Sequence, residues 1–127
     1  MEAAAQAGVQ RFVMVSYAGA DRDVHRLDPQ DSFYPYAKAK HDADVKLRAS
    51  ELDYTILGPA RLTAEPATGR IQRVETAGAD WPADKRVTSR ANVAEVIAYV
   101  IKTAAASRQT VNFYDGETPI AEAISRA

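Results

Sequence analysis

Three short runs rich in β-branched and aromatic residues sharply narrow the folds open to this chain: Arg11–Ser16 (RFVMVS), Leu52–Pro59 (LDYTILGP) and Gln109–Tyr114 (QTVNFY). Two longer stretches of helical character separate them. Strands joined through helices need right-handed crossovers, and such crossovers build a parallel sheet. The first run lies between Gly8 and Gly19 and lacks clean polar alternation, as suits a strand covered on both faces. The order β-α-β-α-β with a trailing helix is one half of a doubly wound α/β fold, whose complete form holds two such halves.

The connecting segments add detail. Asp21–Asp31 is polar, contains Pro29 and reads as a surface loop. Asp31 or Ser32 is placed to cap a helix that tolerates Pro35 in its first turn and runs to about Ser50. From Arg61 to Thr88 the chain carries Pro66, Gly69, Gly78 and Pro82, with one strand-like piece, Arg70–Thr76. So long a connection within a compact domain reads as a lid or substrate loop, 61–88. Ser89 can cap the next helix, whose Val93, Val96, Ile97, Val100, Ile101 and Ala104 fall on one face. Thr118-Pro119 opens a last short helix with Ile120 and Ile124 on one side. At the other end, Glu2–Ala7 is Ala-rich and helix-forming, with Gly8 as a stop. A stretch so short cannot hold a helix in water, so it reads as the tail of a longer one. The expectation is a single partial domain over 1–127.

Composition excludes several functions. Of 127 residues, 46% are apolar and 26% charged, which is globular. Sixteen Lys and Arg against 17 Asp and Glu give a net charge of −1, no electrostatic footprint for nucleic acid or an anionic membrane. The absence of cysteine excludes disulfides, thiolate zinc sites and cysteine nucleophiles. No apolar run approaches the roughly 18 residues of a membrane span. MEAAAQAGVQR has neither the basic nor the apolar region of a secretory signal. A cytoplasmic protein acting on a small molecule is expected.

The residues most suggestive of chemistry are tyrosine and lysine four positions apart on the first helix. Two registers exist, Tyr34 with Lys38 and Tyr36 with Lys40, and each pair shares one face. Tyr36 and Lys40 continue to Ala43 and Leu47, an apolar stripe expected to face the sheet. Tyr34 and Lys38 continue to His41, Val45 and Arg48, a mostly polar face. Tyr36 and Lys40 are therefore the better inward pair. An ammonium close to a phenol favours the phenolate, which makes such a tyrosine a usable general acid or base. Ser16, at the carboxyl end of a parallel strand where these folds bind ligands, could orient a carbonyl beside it. Other polar groups read as surface. His25 and His41 have no second ligand at metal spacing, and the alternating charges from Lys38 to Arg48, with Asp42 and Asp44, form a solvated helix face. Trp81 reads as a packing anchor, with a lid residue contacting substrate as the alternative, and Glu65 and Glu75 show no hydrolytic carboxylate pairing.

RFVMVS (11–16), YAKAK (36–40) and LDYTILGP (52–59) together resemble the short-chain dehydrogenase/reductase superfamily. Within it, the chain resembles the atypical NAD(P)H-binding, sugar-epimerase-like members related to the NmrA-like group. EPATGRI (65–71), SRANVA (89–94) and YDGETPI (114–120) fit the same group in order and spacing. The resemblance covers nearly the whole chain but only the carboxyl-terminal part of the family pattern. It implies that Ser16 lines the active site, that Tyr36 is the acid/base, and that Lys40 binds the nicotinamide ribose and tunes the phenol. Pro59 and Ala60 match the turn flanking the nicotinamide. The implied activity is NAD(P)-dependent oxidoreduction or epimerisation of a small carbonyl or sugar-like substrate.

The departures are specific. The six glycines contain no G-x-G-x-x-G, the turn that cradles a pyrophosphate, so low cofactor affinity and little turnover are expected. Gly58 stands where the group usually has arginine, and Tyr17 where a second serine is common. Two alternatives are a non-catalytic NAD(P)-sensing regulator, which would not need Tyr36, and a structural module that self-associates through an exposed sheet edge.

Overall fold

The computed structural model describes residues 11–17, 28–74 and 86–125. Glu2–Ala7, His25, Glu75, Trp81 and most of the polar loop from Asp21 lie outside them. Strand β1 (Arg11–Val15) leads to helix α1 (Tyr34–Arg48) and strand β2 (Asp53–Pro59). Short strands β3 (Arg61–Thr63), β4 (Arg70–Val74) and β5 (Val87–Ser89) precede helix α2 (Arg90–Thr103). Strand β6 (Gln109–Asp115), strand β7 (Thr118–Pro119) and helix α3 (Ile120–Ser125) follow.

The main sheet has the order β1-β2-β6-β4-β7. β1 and β6 both pair parallel with β2, as the alternation of strands and helices predicts. Helices on both faces make this a partial doubly wound, Rossmann-like layer. α2 and α3 cover one face, where Val93, Val96, Val100, Ile120 and Ile124 pack on Leu57, Ile71, Val111 and Phe113. On the other face, Leu47 of α1 packs with Leu52, Tyr54 and Ile56. β1 serves both sides, Val13 and Val15 toward the first cluster, Phe12 and Met14 toward the second. That is the period-two alternation of a strand covered on both faces.

The amino ends of the parallel strands are tied down. The Arg11 guanidinium donates to Asp53 Oδ1 at 3.1 Å and to the Ala105 carbonyl at 2.9 Å. Arg108 donates to the Leu52 carbonyl at 2.7 Å and lies 4.9 Å from the centre of the Tyr54 ring. The opposite, carboxyl ends are left free to shape a site, as open α/β sheets generally do.

Several sequence expectations need correction. Besides the expected strand near Arg70, the 61–88 connection contains β3, and β5 begins within it. β4 runs antiparallel to β6, so the sheet is mixed and not wholly parallel. Thr118-Pro119 does not open the last helix. It pairs antiparallel with Arg70-Ile71, and the helix starts at Ile120. Neither Asp31 nor Ser32 is the cap of α1; Phe33 holds that position without a side-chain bond, while Asp31 Oδ1 accepts from the Phe33 N–H at 2.8 Å. Ile101 is 59% exposed, and Ala104 is the left-handed end of α2 at φ 57°, so the buried stripe stops at Val100.

Candidate active site

Ser16 immediately follows β1, and its N–H donates to the Leu57 carbonyl at 2.7 Å, extending the β1–β2 ladder by one residue. That bond fixes the serine at the carboxyl end of the strand. Its hydroxyl donates to Asp44 Oδ2 at 3.0 Å, and both residues are buried. Pro59 ends β2 and Ala60 follows it. The Ala60 N–H donates to Thr88 Oγ1 at 3.0 Å, and the Thr88 hydroxyl in turn donates to the Phe113 carbonyl at 3.0 Å. The turn after β2 is thereby held against β5 and β6.

α1 brings the tyrosine. Pro35 sits in its first turn, where its missing N–H costs nothing. The helix buries Ala37, Asp44 and Leu47, with Lys40 and Ala43 half-buried. The inward face is therefore rotated from the expected one, which ran through Tyr36. Tyr36 stands on its flank, 48% exposed, and packs its ring against Tyr17 and Phe33 with centroids 5.5 and 5.3 Å away. Tyr17 and Phe33 meet edge to face at 5.7 Å, completing a three-ring cluster.

Ser16, Tyr36, Pro59 and Ala60 share the wall of one cavity of about 600 Å³, which also includes Tyr17, Phe33, Arg61, Leu62 and Arg90. Lys40 lies behind that wall. Its ammonium donates to the Val15 carbonyl at 3.2 Å and sits 5.7 Å from the centre of the Tyr36 ring, against the ring and not at its hydroxyl. The other register points away: Lys38 is exposed and donates to Asp42 Oδ2 at 2.7 Å. That hydrogen bond, with the Asp42 charge, holds the Lys38 ammonium above its ordinary range. Of the two registers, Tyr36 lines the cavity, whereas Tyr34, Lys38 and Lys40 are not among its lining residues.

Asp44 is the main residue the sequence reading misassigned. It belongs to no solvated face: it is 2% exposed and accepts from Ser16. His41, also expected on the surface, is half-buried. Arg61, Arg90, Phe33 and Leu62 were not singled out either. A usable signal for Asp44 existed in its spacing, four residues from Lys40 on the same helix face.

The cavity wall is mostly aromatic and apolar, with a few polar groups. Three aromatic rings and Pro59 give flat apolar contact, while Ser16 and Tyr36 supply hydroxyls and Arg61 and Arg90 are the lining cations. Among the described residues no group of His, Cys, Asp or Glu is arranged to hold a metal ion, and no helix is long and apolar enough to cross a membrane.

A family model described as NAD(P)H-binding matches residues 1–104. A Bacillus subtilis protein named an uncharacterized sugar epimerase is 36% identical over 126 residues, 99% of this chain and 55% of its own length. Among solved structures, a Bacillus halodurans protein provisionally named a NAD-dependent epimerase/dehydratase superposes with TM-score 0.85 at 31% identity, covering 99% of this chain and 56% of that one. An oxidoreductase from Lactococcus lactis gives TM-score 0.80 at 30% identity, covering 97% of this chain and 54% of that one. The chain spans little more than half the length of each.

Proposed function

The chain belongs to the NAD(P)H-binding family, and from that premise we propose that it forms the nicotinamide- and substrate-facing part of an NAD(P)-dependent oxidoreductase or epimerase. The substrate is a small carbonyl or sugar-like molecule. One observation carries the reading: a serine, a tyrosine and the turn after β2, contributed by separate elements, meet in one cavity at the carboxyl ends of parallel strands.

In this reading, bound cofactor supplies or accepts a hydride at its nicotinamide ring. Tyr36 passes a proton between its hydroxyl and the substrate oxygen. Lys40, behind the phenol, holds the nicotinamide ribose. Ser16 positions the substrate oxygen; with its own proton given to Asp44, its lone pairs accept from a substrate hydroxyl, and rotation of the O–H would let it donate to a carbonyl. Pro59 and Ala60 flank the nicotinamide.

Titration with NADPH and NADH by fluorescence and calorimetry tests this. Because the sequence holds no G-x-G-x-x-G, affinity is expected to be weak, in the millimolar range. Tyr36→Phe is expected to lower any reductase turnover by about a hundredfold with cofactor affinity unchanged. Lys40→Met is expected to weaken cofactor binding. No binding of either dinucleotide would overturn the proposal.

A second reading, a non-catalytic NAD(P) sensor, is favoured by the placement of the Lys40 ammonium at the Val15 carbonyl and away from the tyrosine hydroxyl. Cofactor binding indifferent to Tyr36→Phe, together with no turnover by the unaltered chain, selects it.

A further inference from the structure

We infer that the cavity takes a substrate bearing a carboxylate or phosphate, which Arg61 and Arg90 grip while the reacting oxygen turns toward Ser16 and Tyr36. The inference rests on the reading above and narrows its substrate class.

Among the described residues, the cavity wall includes two arginines, Arg61 and Arg90, and no Asp or Glu. The nearest acid named in the site, Asp44, is buried behind Ser16 and engaged with it. In a chain of net charge −1, two cations and no anion on one wall is a local segregation of charge, not a by-product of a basic protein.

Several other arginines are engaged, while Arg70, outside the cavity, is exposed and likewise shows no side-chain bond among the described residues. Arg11 is spent on Asp53 and the Ala105 carbonyl, Arg48 on Thr110, Arg73 on Gln109, and Arg108 on the carbonyls of Arg48, Ser50 and Leu52. Arg61 and Arg90 are exposed, and among the described residues neither side chain has a hydrogen bond or ion pair. Both are carried on one rigid piece. β3 pairs parallel with β5, setting Arg61 opposite Val87 and Thr63 opposite Ser89, and Arg90 follows Ser89 directly. That two-stranded sheet is pinned by the Ala60–Thr88 bond and by the Ser89 hydroxyl donating to the Glu65 carbonyl at 2.8 Å.

The anion in question belongs to the substrate and not to the cofactor pyrophosphate. In the doubly wound order, the strand whose glycine turn grips the pyrophosphate belongs to the other half of the sheet, on the β1 side of β2. The arginine-bearing sheet sits on the far side, packed against β6 through Thr88 and Phe113 and separated from β1 by β2. Guanidinium groups match carboxylate and phosphate oxygens in a two-pronged geometry that an uncharged sugar does not offer. Between the two arginines' sheet and the serine, Tyr17, Phe33, Tyr36 and Leu62 provide apolar contact for the body of the molecule.

The test compares two aldehydes of matched shape, para-carboxybenzaldehyde and para-carbamoylbenzaldehyde, titrated into the full chain and followed by amide shifts in NMR spectra. The charged probe is expected to bind about tenfold tighter than the amide. Arg61→Gln combined with Arg90→Gln is expected to erase that preference and leave the amide unchanged, whereas Lys102→Gln, on the exposed end of α2, retains it. NADPH and reduced nicotinamide mononucleotide are titrated in parallel and are expected to bind the double variant as they bind the original chain. Equal binding of the two aldehydes, or binding of neither, overturns the inference. So does a double variant that loses affinity for NADPH, since the arginines would then serve a cofactor phosphate. Dinucleotide binding by the original chain is read separately, so failure of the charge preference strikes the substrate class while failure of cofactor binding strikes the proposed activity.

Discussion

Ser16 and Asp44 lie 28 residues apart in sequence and within one hydrogen bond in space. Removing the acceptor leaves a buried hydroxyl with nothing to donate to, so Asp44→Ala is expected to cost about 1–3 kcal/mol in urea unfolding. Asp44→Asn keeps an acceptor oxygen and is expected to lose less. Equal stability of all three proteins would show that the bond contributes nothing. The difference between Tyr36 and Asp44 also shows what single residues reveal before folding. A tyrosine and a lysine four apart on a helix announce themselves by local spacing alone. A buried acid announces itself less plainly: its spacing from Lys40 fixes which helix face it shares, but the partner that receives it on that face lies far along the chain. Among Lys38, Asp42, Lys46 and Arg48, an aspartate reads as one more solvated charge, and only the approach of β1 to α1 reveals otherwise.

α2 does more than cover the sheet. Ser89 caps it as its sequence suggests, accepting from the Asn92 N–H at 3.2 Å. Asn92 itself is fully buried. Its Oδ1 accepts from the N–H groups of Thr68 and Gly69 at 3.0 and 3.1 Å, and its Nδ2 donates to Asp115 Oδ1 at 2.9 Å. One side chain thus joins a helix, the segment after β3 and the end of β6. Asn92→Ala strands two backbone donors and a carboxylate, and is expected to cost about 3 kcal/mol. Hydrogen exchange at Thr68 and Gly69 is expected to accelerate in that variant; unchanged protection there would refute the role. Elements of this kind differ in how openly the sequence declares them. β1, β2, β6 and α2 carry enough residues for periodicity to speak. β3, β5 and β7 hold three, three and two residues, too few for any period, and their existence depends on pairing with distant chain. The direction of β4 was hidden for the same reason: a strand-like run does not say which neighbour it will meet.

At the scale of the molecule, β1 is an edge strand among the described residues. β1 pairs with β2 alone among the described strands, and all five of its residues are only half-buried. An edge of Phe12, Val13, Met14 and Val15 with open backbone groups invites pairing with another chain. The weight-average mass is expected to rise above the 13.8 kDa monomer as concentration increases, measured by light scattering or sedimentation equilibrium. A constant monomer mass across a wide concentration range would contradict this. The sheet order β1-β2-β6-β4-β7 carries a different consequence. β6, the last long strand to leave the ribosome, is the one that sits in the middle, with β2 on one side and β4 on the other. Until Gln109–Asp115 emerge, Val96 and Ile71 lack the Val111 and Phe113 floor on which they rest. Until β6 emerges, β2 and β4 lack their shared neighbour, and their apolar faces need shelter from aggregation.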